Sequence, residues 1–323
     1  MDSAEELMLA FAGRRQRYLW TDAFAVFNYL ALDRKDLALN LVDDVHHELG
    51  KTRKGVWLPG ASEEHPTRGG LRIGKKLPER RADERFDERL EWDRDGQYFH
   101  YLTKWMDALD RVSRATGEPR FNLWARELLE TAWRKFRQPS GRLAWKMSTD
   151  LSRPLVASTG QHDALDGYVT CAQLRETASG GPALDDALAD LSAMMARGHL
   201  ATDDPLGIGG LLLDAWRIEK LRAFPEPELK RALLDAALDG LDGFGRELRL
   251  PAEMRLAFRE LGLAIGLHAP FDELKPYARL RGEIESFWLA NRKNWTEHVD
   301  INEVMLATAL LHPEPFAPRP ERR

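Results

Sequence analysis

Helical segments of two kinds alternate along this chain, and that alternation limits its possible folds more than any other feature. Six segments are apolar around most of their circumference: WTDAFAVFNYLAL (20–32), GQYFHYLTKWMDALDRV (96–112), HDALDGYVTCAQL (162–174), PLGIGGLLLDAWRIEKL (205–221), EMRLAFRELGLAIGLH (253–268) and INEVMLATALL (301–311). Five are amphipathic with one charged face: KDLALNLVDDVHHELG (35–50), RFNLWARELLETAWRKF (120–136), ALDDALADLSAMMARG (183–198), PELKRALLDAALDGLDGF (227–244) and ELKPYARLRGEIESFWLA (273–290). A helix that is apolar on most sides lies between neighbours, and one with a single apolar stripe lies outside them. The order is therefore inner, outer, inner, outer. The N-terminal SAEELMLAFAGRRQ supplies a sixth outer helix, beside the last inner one. Turns such as ATGEP and ASGGPA stop one helix and start the next. Alternating Val/Ile/Thr runs between hairpin turns are nearly absent. Six hairpins closing on themselves make an all-α (α/α)6 toroid; an open superhelix of helical hairpins is the competing arrangement. Gly207, Gly209 and Gly210 suit crowded inner helices, because small residues let backbones approach closely.

The segment 51–95 breaks the pattern. It is too long and irregular for a simple helix connection, and loops of that length in a compact domain are usually lids or disordered. Trp57, Leu58, Leu71, Ile73, Phe86 and Trp92 argue for order. The segment is expected to lie across the mouth where the inner helices begin, with Trp57 and Trp92 buried. The 323 residues, 43% of them hydrophobic, are enough for a large core. We expect a single domain over 1–312 and an irregular Pro-rich tail over 313–323.

A net charge of −5 leaves no footprint for nucleic acid. No stretch approaches about 18 uninterrupted apolar residues, so no membrane span is expected. The chain begins acidic before it turns apolar, the reverse of a secretion signal. Its one cysteine, Cys171, excludes an intramolecular disulfide and a multi-cysteine metal site and fits a reducing cytoplasm. Cys171 sits on an apolar run and reads as core. The chain has no His-Glu-x-x-His, GLRIGKK lacks the ending of a phosphate loop, and no Gly-x-Ser-x-Gly elbow exists. No metal or cofactor is expected. The adjacent His46 and His47 cannot both face one metal from one helix and read as surface residues.

Polar residues gather at the heads of the inner helices. Trp20 and Asp22 open the first. Asp95, Gln97, Tyr98 and His100 open the second, and Gln161, His162, Asp163 and Asp166 the third. Asp203 and Asp204 open the fourth, and the fifth carries Arg255, Arg259 and Glu260. Trp295, His298, Asp300 and Glu303 open the sixth. An acidic helix head alone is a cap. Histidine, tryptophan and tyrosine beside the acids are more than a cap needs. Flat apolar faces and hydroxyl acceptors together suit a polyhydroxylated ligand. In an alternating ring all these heads share one face, so we expect one site there. Its catalytic candidates are Asp22, Asp95, His162, Asp163 and Asp300. Its substrate-binding candidates are Trp20, Gln97, Tyr98, His100, Gln161, Asp166, Trp295, His298 and Glu303.

The chain resembles the six-hairpin glycosidase superfamily. WTDAFAVF is similar to the Trp-x-Asp-Ala-Leu/Phe segment at an inner helix head of unsaturated glucuronyl and rhamnogalacturonyl hydrolases. The resemblance implies an (α/α)6 fold and a general acid and base at Asp22. N-acylglucosamine 2-epimerases share the ring and work through paired histidines, parts that His162 and His298 would take. Three functions follow. A glycoside hydrolase needs an acid for the leaving oxygen and a second carboxylate opposite. A sugar isomerase or epimerase needs two histidines facing one point. A non-catalytic toroid would bind a glycan or protein through scattered acids with ordinary pKa values. The partner expected on the first reading is a small-molecule or oligosaccharide substrate, although aromatic-lined toroids also hold lipids and terpenoids.

Overall fold

The computed structural model describes residues 2–316 except 179, 245–247 and 249. Among them lie thirteen α-helices and one small sheet. The helices are α1 (Asp2–Ala12), α2 (Leu19–Ala31), α3 (Lys35–Leu49), α4 (Glu88–Glu91), α5 (Phe99–Thr116), α6 (Pro119–Phe136) and α7 (Asp163–Thr177). They continue with α8 (Asp185–Met195), α9 (Pro205–Lys220), α10 (Pro227–Gly243), α11 (Ala257–Gly266), α12 (Ala278–Asn291) and α13 (Val299–Leu311). Every segment read as an inner or outer helix is helical. The segments at 253–268 and 273–290 begin as 3-10 turns, Ala252–Met254 and Asp272–Tyr277. In the second, Pro276 lacks the N–H an α-helix would need, so the regular helix starts after it. Proline also marks the first turn of α6, α9 and α10, where its missing N–H costs nothing. Most of the expected tail, from 317 on, lies outside the described residues. Among the described residues no helix is long and apolar enough to cross a membrane.

The described residues fall into two compact units, one within 14–26 and 34–198 and the other within 1–13, 27–33 and 199–318. In the first, α5 packs on α6 and α7, α8 covers α7, and α3 lies against α5. Its core is built around Trp105, Phe99 and Phe136, with Cys171 buried as expected. His46, expected at the surface, belongs to this core: its Nε2 accepts from Trp105 Nε1 at 3.1 Å, and burial lowers its pKa to about 3. Its neighbour His47 points away from the core and remains at the surface, where its ring meets Glu63. One residue separates the buried and exposed faces of α3, so adjacency does not give the two rings a common environment.

The second unit packs α9 on α11 and α11 on α13, with α10 outside α9 and α12 outside α11 and α13. The N-terminal α1 lies on α13, as its amphipathic pattern required. The approach of α9 to α11 depends on glycine. A Cβ at Gly209 would lie 2.1 Å from the Gly262 carbonyl oxygen, and one at Gly266 would lie 2.6 Å from the Gly209 Cα.

The 51–95 excursion is ordered and belongs to the first unit. It is tied to the heads of two inner helices. Leu19 N, at the start of α2, donates to Ile73 O at 3.0 Å, and Ile73 N donates to Gly96 O just before α5 at 2.8 Å. The clamp is Asp95, fully buried. Its Oδ2 accepts from Arg72 Nη1 at 2.7 Å and Arg53 Nη2 at 3.3 Å, and its Oδ1 from the N–H groups of Gly74 and Gly96 at 3.0 and 3.1 Å. Trp57 is half-buried under Lys51. Trp92, expected to be buried, is 48% exposed. It stands edge-on to Trp145 with ring centres 4.6 Å apart.

The sheet was not foreseen. β1 (Gln97–Tyr98), β2 (Lys146–Met147) and β3 (Pro154–Val156) pair antiparallel in that order, with Tyr98 opposite Lys146. Lys146 is fully buried because its Nζ has three acceptors: Glu91 O at 2.6 Å, Arg94 O at 2.8 Å and Glu91 Oε1 at 3.1 Å. A buried cation needs such complete pairing.

The glycine contact is testable with two adjacent residues. Gly209→Ala should destabilise the protein by about 1–3 kcal/mol, because the methyl group overpacks the α9–α11 contact. At Gly210 a Cβ meets nothing within 4 Å, so Gly210→Ala should be neutral or stabilise by up to about 1 kcal/mol through helix propensity. Chemical denaturation of the two variants distinguishes them; equal effects would show that the close approach does not matter.

Candidate active site

The heads of α5 and α7 meet in the first unit and bring together four residues picked out in the sequence: Tyr98, His100, Asp163 and Asp166. Trp20, at the head of α2, joins them. Ring stacking builds one wall. The His100 ring is stacked on Tyr98, with centres 5.3 Å apart and planes at 23°, and lies nearly parallel to Trp145 at 6.5 Å. Tyr101 meets it edge-on at 4.8 Å and Trp20 at 6.1 Å. The Tyr101 and Tyr18 hydroxyls share a 2.8 Å hydrogen bond.

The acids sit on the first turn of α7, three residues apart and so on one face. Asp166 is engaged: Lys104 Nζ lies 2.6 Å from its Oδ1, and Thr103 Oγ1 donates to its Oδ2 at 3.3 Å. Asp163 is not engaged in that way. Its Oδ2 is buried without a hydrogen-bond partner among the described residues. Its Oδ1 is 3.7 Å from His100 Nδ1, too far for a hydrogen bond, and that nitrogen is also without such a partner. The helix N-cap is His162, whose side chain makes no capping bond.

Electrostatics separate the two carboxyls. Burial, and then the negative charge of Asp166, raise the Asp163 pKa from 3.8 to about 7; the Gly160 backbone N–H and Lys104 oppose this only in part. Burial lowers the His100 pKa to about 4, with Asp166 pulling it back up. Between about pH 4 and 7 the pair is thus a neutral carboxylic acid facing a neutral imidazole, beside a carboxylate held by a lysine. Titratable groups pushed apart in this way are equipped for acid–base chemistry. Burial also raises the pKa of Tyr98 and Tyr18, so both phenols stay protonated. A hypothetical Cβ at Gly160 would lie 2.3 Å from Asp163 Oδ1, so that glycine leaves the carboxyl the room it occupies.

Other residues picked out in the sequence hold different positions. Asp22 accepts from Tyr18 N at 2.8 Å and lies 3.4 Å from Arg17 Nη1, fixing the turn into α2. Asp95 clamps the excursion. Gln97 Oε1 accepts from Leu71 N at 2.8 Å, and its Nε2 donates to Gly69 O and Thr149 O. Gln161 is exposed and His162 half-buried. Trp295, His298, Asp300 and Glu303 belong to the other unit, His298 exposed and the other three half-buried.

Sequence reading missed Lys104, Tyr101 and Trp145. Lys104 was within reach, four residues after His100 and so on the same helical face. Trp145 was not, because only the pairing of β1 with β2 brings it beside Tyr98.

No family model matches the sequence, and no curated protein does. The structure is similar to that of a GH76 α-mannanase from Bacteroides thetaiotaomicron, solved as its selenomethionine derivative. The TM-score is 0.56 at 9% sequence identity, over 91% of this chain and 86% of that one. The likeness shows the fold: an all-α (α/α)6 arrangement of helical hairpins.

The pKa of Asp163 makes stability depend on pH. The folded chain keeps a proton that the unfolded chain loses above pH 3.8. Stability from this group is therefore complete below about pH 4, falls as pH rises towards 7, and is flat beyond. Asp163→Asn removes the titration, so the melting temperature of the variant relative to wild type should climb between pH 4 and 7. Thermal melts across that range check it; a constant difference would mean an ordinary carboxyl.

Proposed function

We propose that this protein is a glycoside hydrolase in which Asp163 is the general acid. The observation that carries the reading is a buried carboxyl, protonated near neutral pH, beside a lysine-held carboxylate under a wall of aromatic rings. Glycoside cleavage uses two carboxyls in different states and an apolar surface for the sugar ring. In this mechanism the Asp163 proton passes to the glycosidic oxygen as its bond to the anomeric carbon breaks. The Asp166 carboxylate stabilises positive charge growing on the sugar ring. Water adds to the anomeric carbon, and its proton goes to a carboxylate. His100, neutral at working pH, lines the acid without competing for its charge.

The fold supports a carbohydrate substrate, because it is shared with an α-mannanase. α-Linked mannosides are therefore the first substrates to offer. The finer resemblance of WTDAFAVF to unsaturated glucuronyl hydrolases would make Asp22 the acid. Its bonds to Tyr18 and Arg17 favour a positioning role there, and Asp163 carries the proton in this reading.

The test is hydrolysis of α-mannoside and other glycoside panels by wild type and Asp163→Asn, read as released reducing sugar. Wild type should be active with an alkaline limb near pH 7, where Asp163 loses its proton. The variant should lose roughly 100-fold or more in turnover on unactivated substrates, while its melting temperature holds or rises. A wild type inactive across the panel, or a fully active Asp163→Asn, would overturn the assignment.

A further inference from the structure

A groove of about 270 Å³ opens in the unit built from α9–α13, between the heads of α11 and α13 and the end of α12. It lies just below the roughly 300–1,000 Å³ usual for ligand pockets, which suits a single sugar ring. Phe258, Trp288 and Trp295 give it aromatic faces, Asn291, Asn294 and His298 give it polar groups, and Glu253 and Glu297 add exposed acidic ones.

The groove is built on a rigid base. Arg255 is bound by Glu260 through two hydrogen bonds, at 2.8 and 2.5 Å, and lies 3.9 Å over the Phe287 ring. Trp288 Nε1 donates to the same carboxylate at 2.8 Å, which fixes the indole that forms the floor. Asn302 Oδ1 accepts from Phe258 N at 3.1 Å and joins the two helix heads. Arg255 thus has its anion already, and the exposed Glu253 and Glu297 give the lining acceptor oxygens for hydroxyl groups and a negative charge that disfavours an anionic ligand.

Two features are left over from this packing. Trp295 Nε1 is buried with no hydrogen-bond partner among the described residues. His298 adopts a left-handed backbone, φ 54°, at the N-cap of α13, and presents an exposed ring edge-on to Phe258 at 5.6 Å. Strained backbone kept at a concave surface is a pointer to function. Aromatic faces with amide, imidazole and carboxylate groups around them match the alternating C–H and O–H surface of a neutral sugar.

We infer that this groove is a binding site for a neutral pyranose, formed by its own unit and not dependent on Asp163. The test titrates the full chain with D-mannose, D-glucose, D-galactose and N-acetyl-D-glucosamine, read by tryptophan fluorescence and ligand-observed NMR. At least one should bind saturably. Trp295→Ala should weaken that binding about tenfold, the scale of one lost aromatic contact, and Asp163→Asn should leave it unchanged. Asn294→Ala, at an exposed groove residue, should also weaken it and keeps the test decisive if Trp295→Ala does not fold by circular dichroism. No saturable binding by wild type would overturn the inference. So would binding untouched by the groove variants, or binding lost in Asp163→Asn and kept in them. Failure of hydrolysis with groove binding intact would count against the proposed catalysis alone.

Discussion

The buried carboxylate of Asp95 is the constraint on which the α5 end of the site depends. A segment as long as 51–95 is entropically costly to order, and it has few regular hydrogen bonds of its own. Asp95 gathers two arginines and the backbone N–H groups of Gly74 and Gly96 onto one side chain. A carboxylate accepting backbone donors and a guanidinium is among the stronger arrangements a protein can make. It fixes the excursion against the start of α5, and Tyr98 and His100 follow within five residues. Tyr98 is then held a second time, by pairing with β2, which places Trp145 in the same wall.

The helical plan was legible because burial writes a simple code. Helices apolar on most sides and helices with one stripe alternate, and the structure places them as that code requires. Side-chain environments within the plan were less legible. His46 and His47 are neighbours in sequence, yet one lies under Trp105 and the other meets Glu63 at the surface. Trp92 is a large apolar residue that the fold leaves exposed, because packing against one edge of Trp145 uses only part of it. Size and apolarity say that a residue can be buried, not that a neighbour will cover it.

The acids illustrate the same limit. Asp22, Asp95 and Asp163 look alike in sequence, each at a polar helix head. What separates them is what each carboxylate touches. Asp22 meets a backbone N–H and an arginine, Asp95 meets several of each, and Asp163 faces a neutral ring and a neighbouring negative charge. Lys104 decides the contrast between Asp163 and Asp166, and its part depends on which way a long flexible side chain reaches. Periodicity places it on the right face but does not choose its partner.

The glycine at 160 carries this further. Its backbone N–H opposes the rise in the Asp163 pKa, yet the volume its missing side chain leaves empty is where that carboxyl sits. A methyl group there would clash with the buried carboxyl, and an acid pushed out into water recovers ordinary strength. The affinity of this site for a proton is thus set partly by excluded volume. A residue without a side chain thus lets the carboxyl keep the buried position on which its weakened acidity depends.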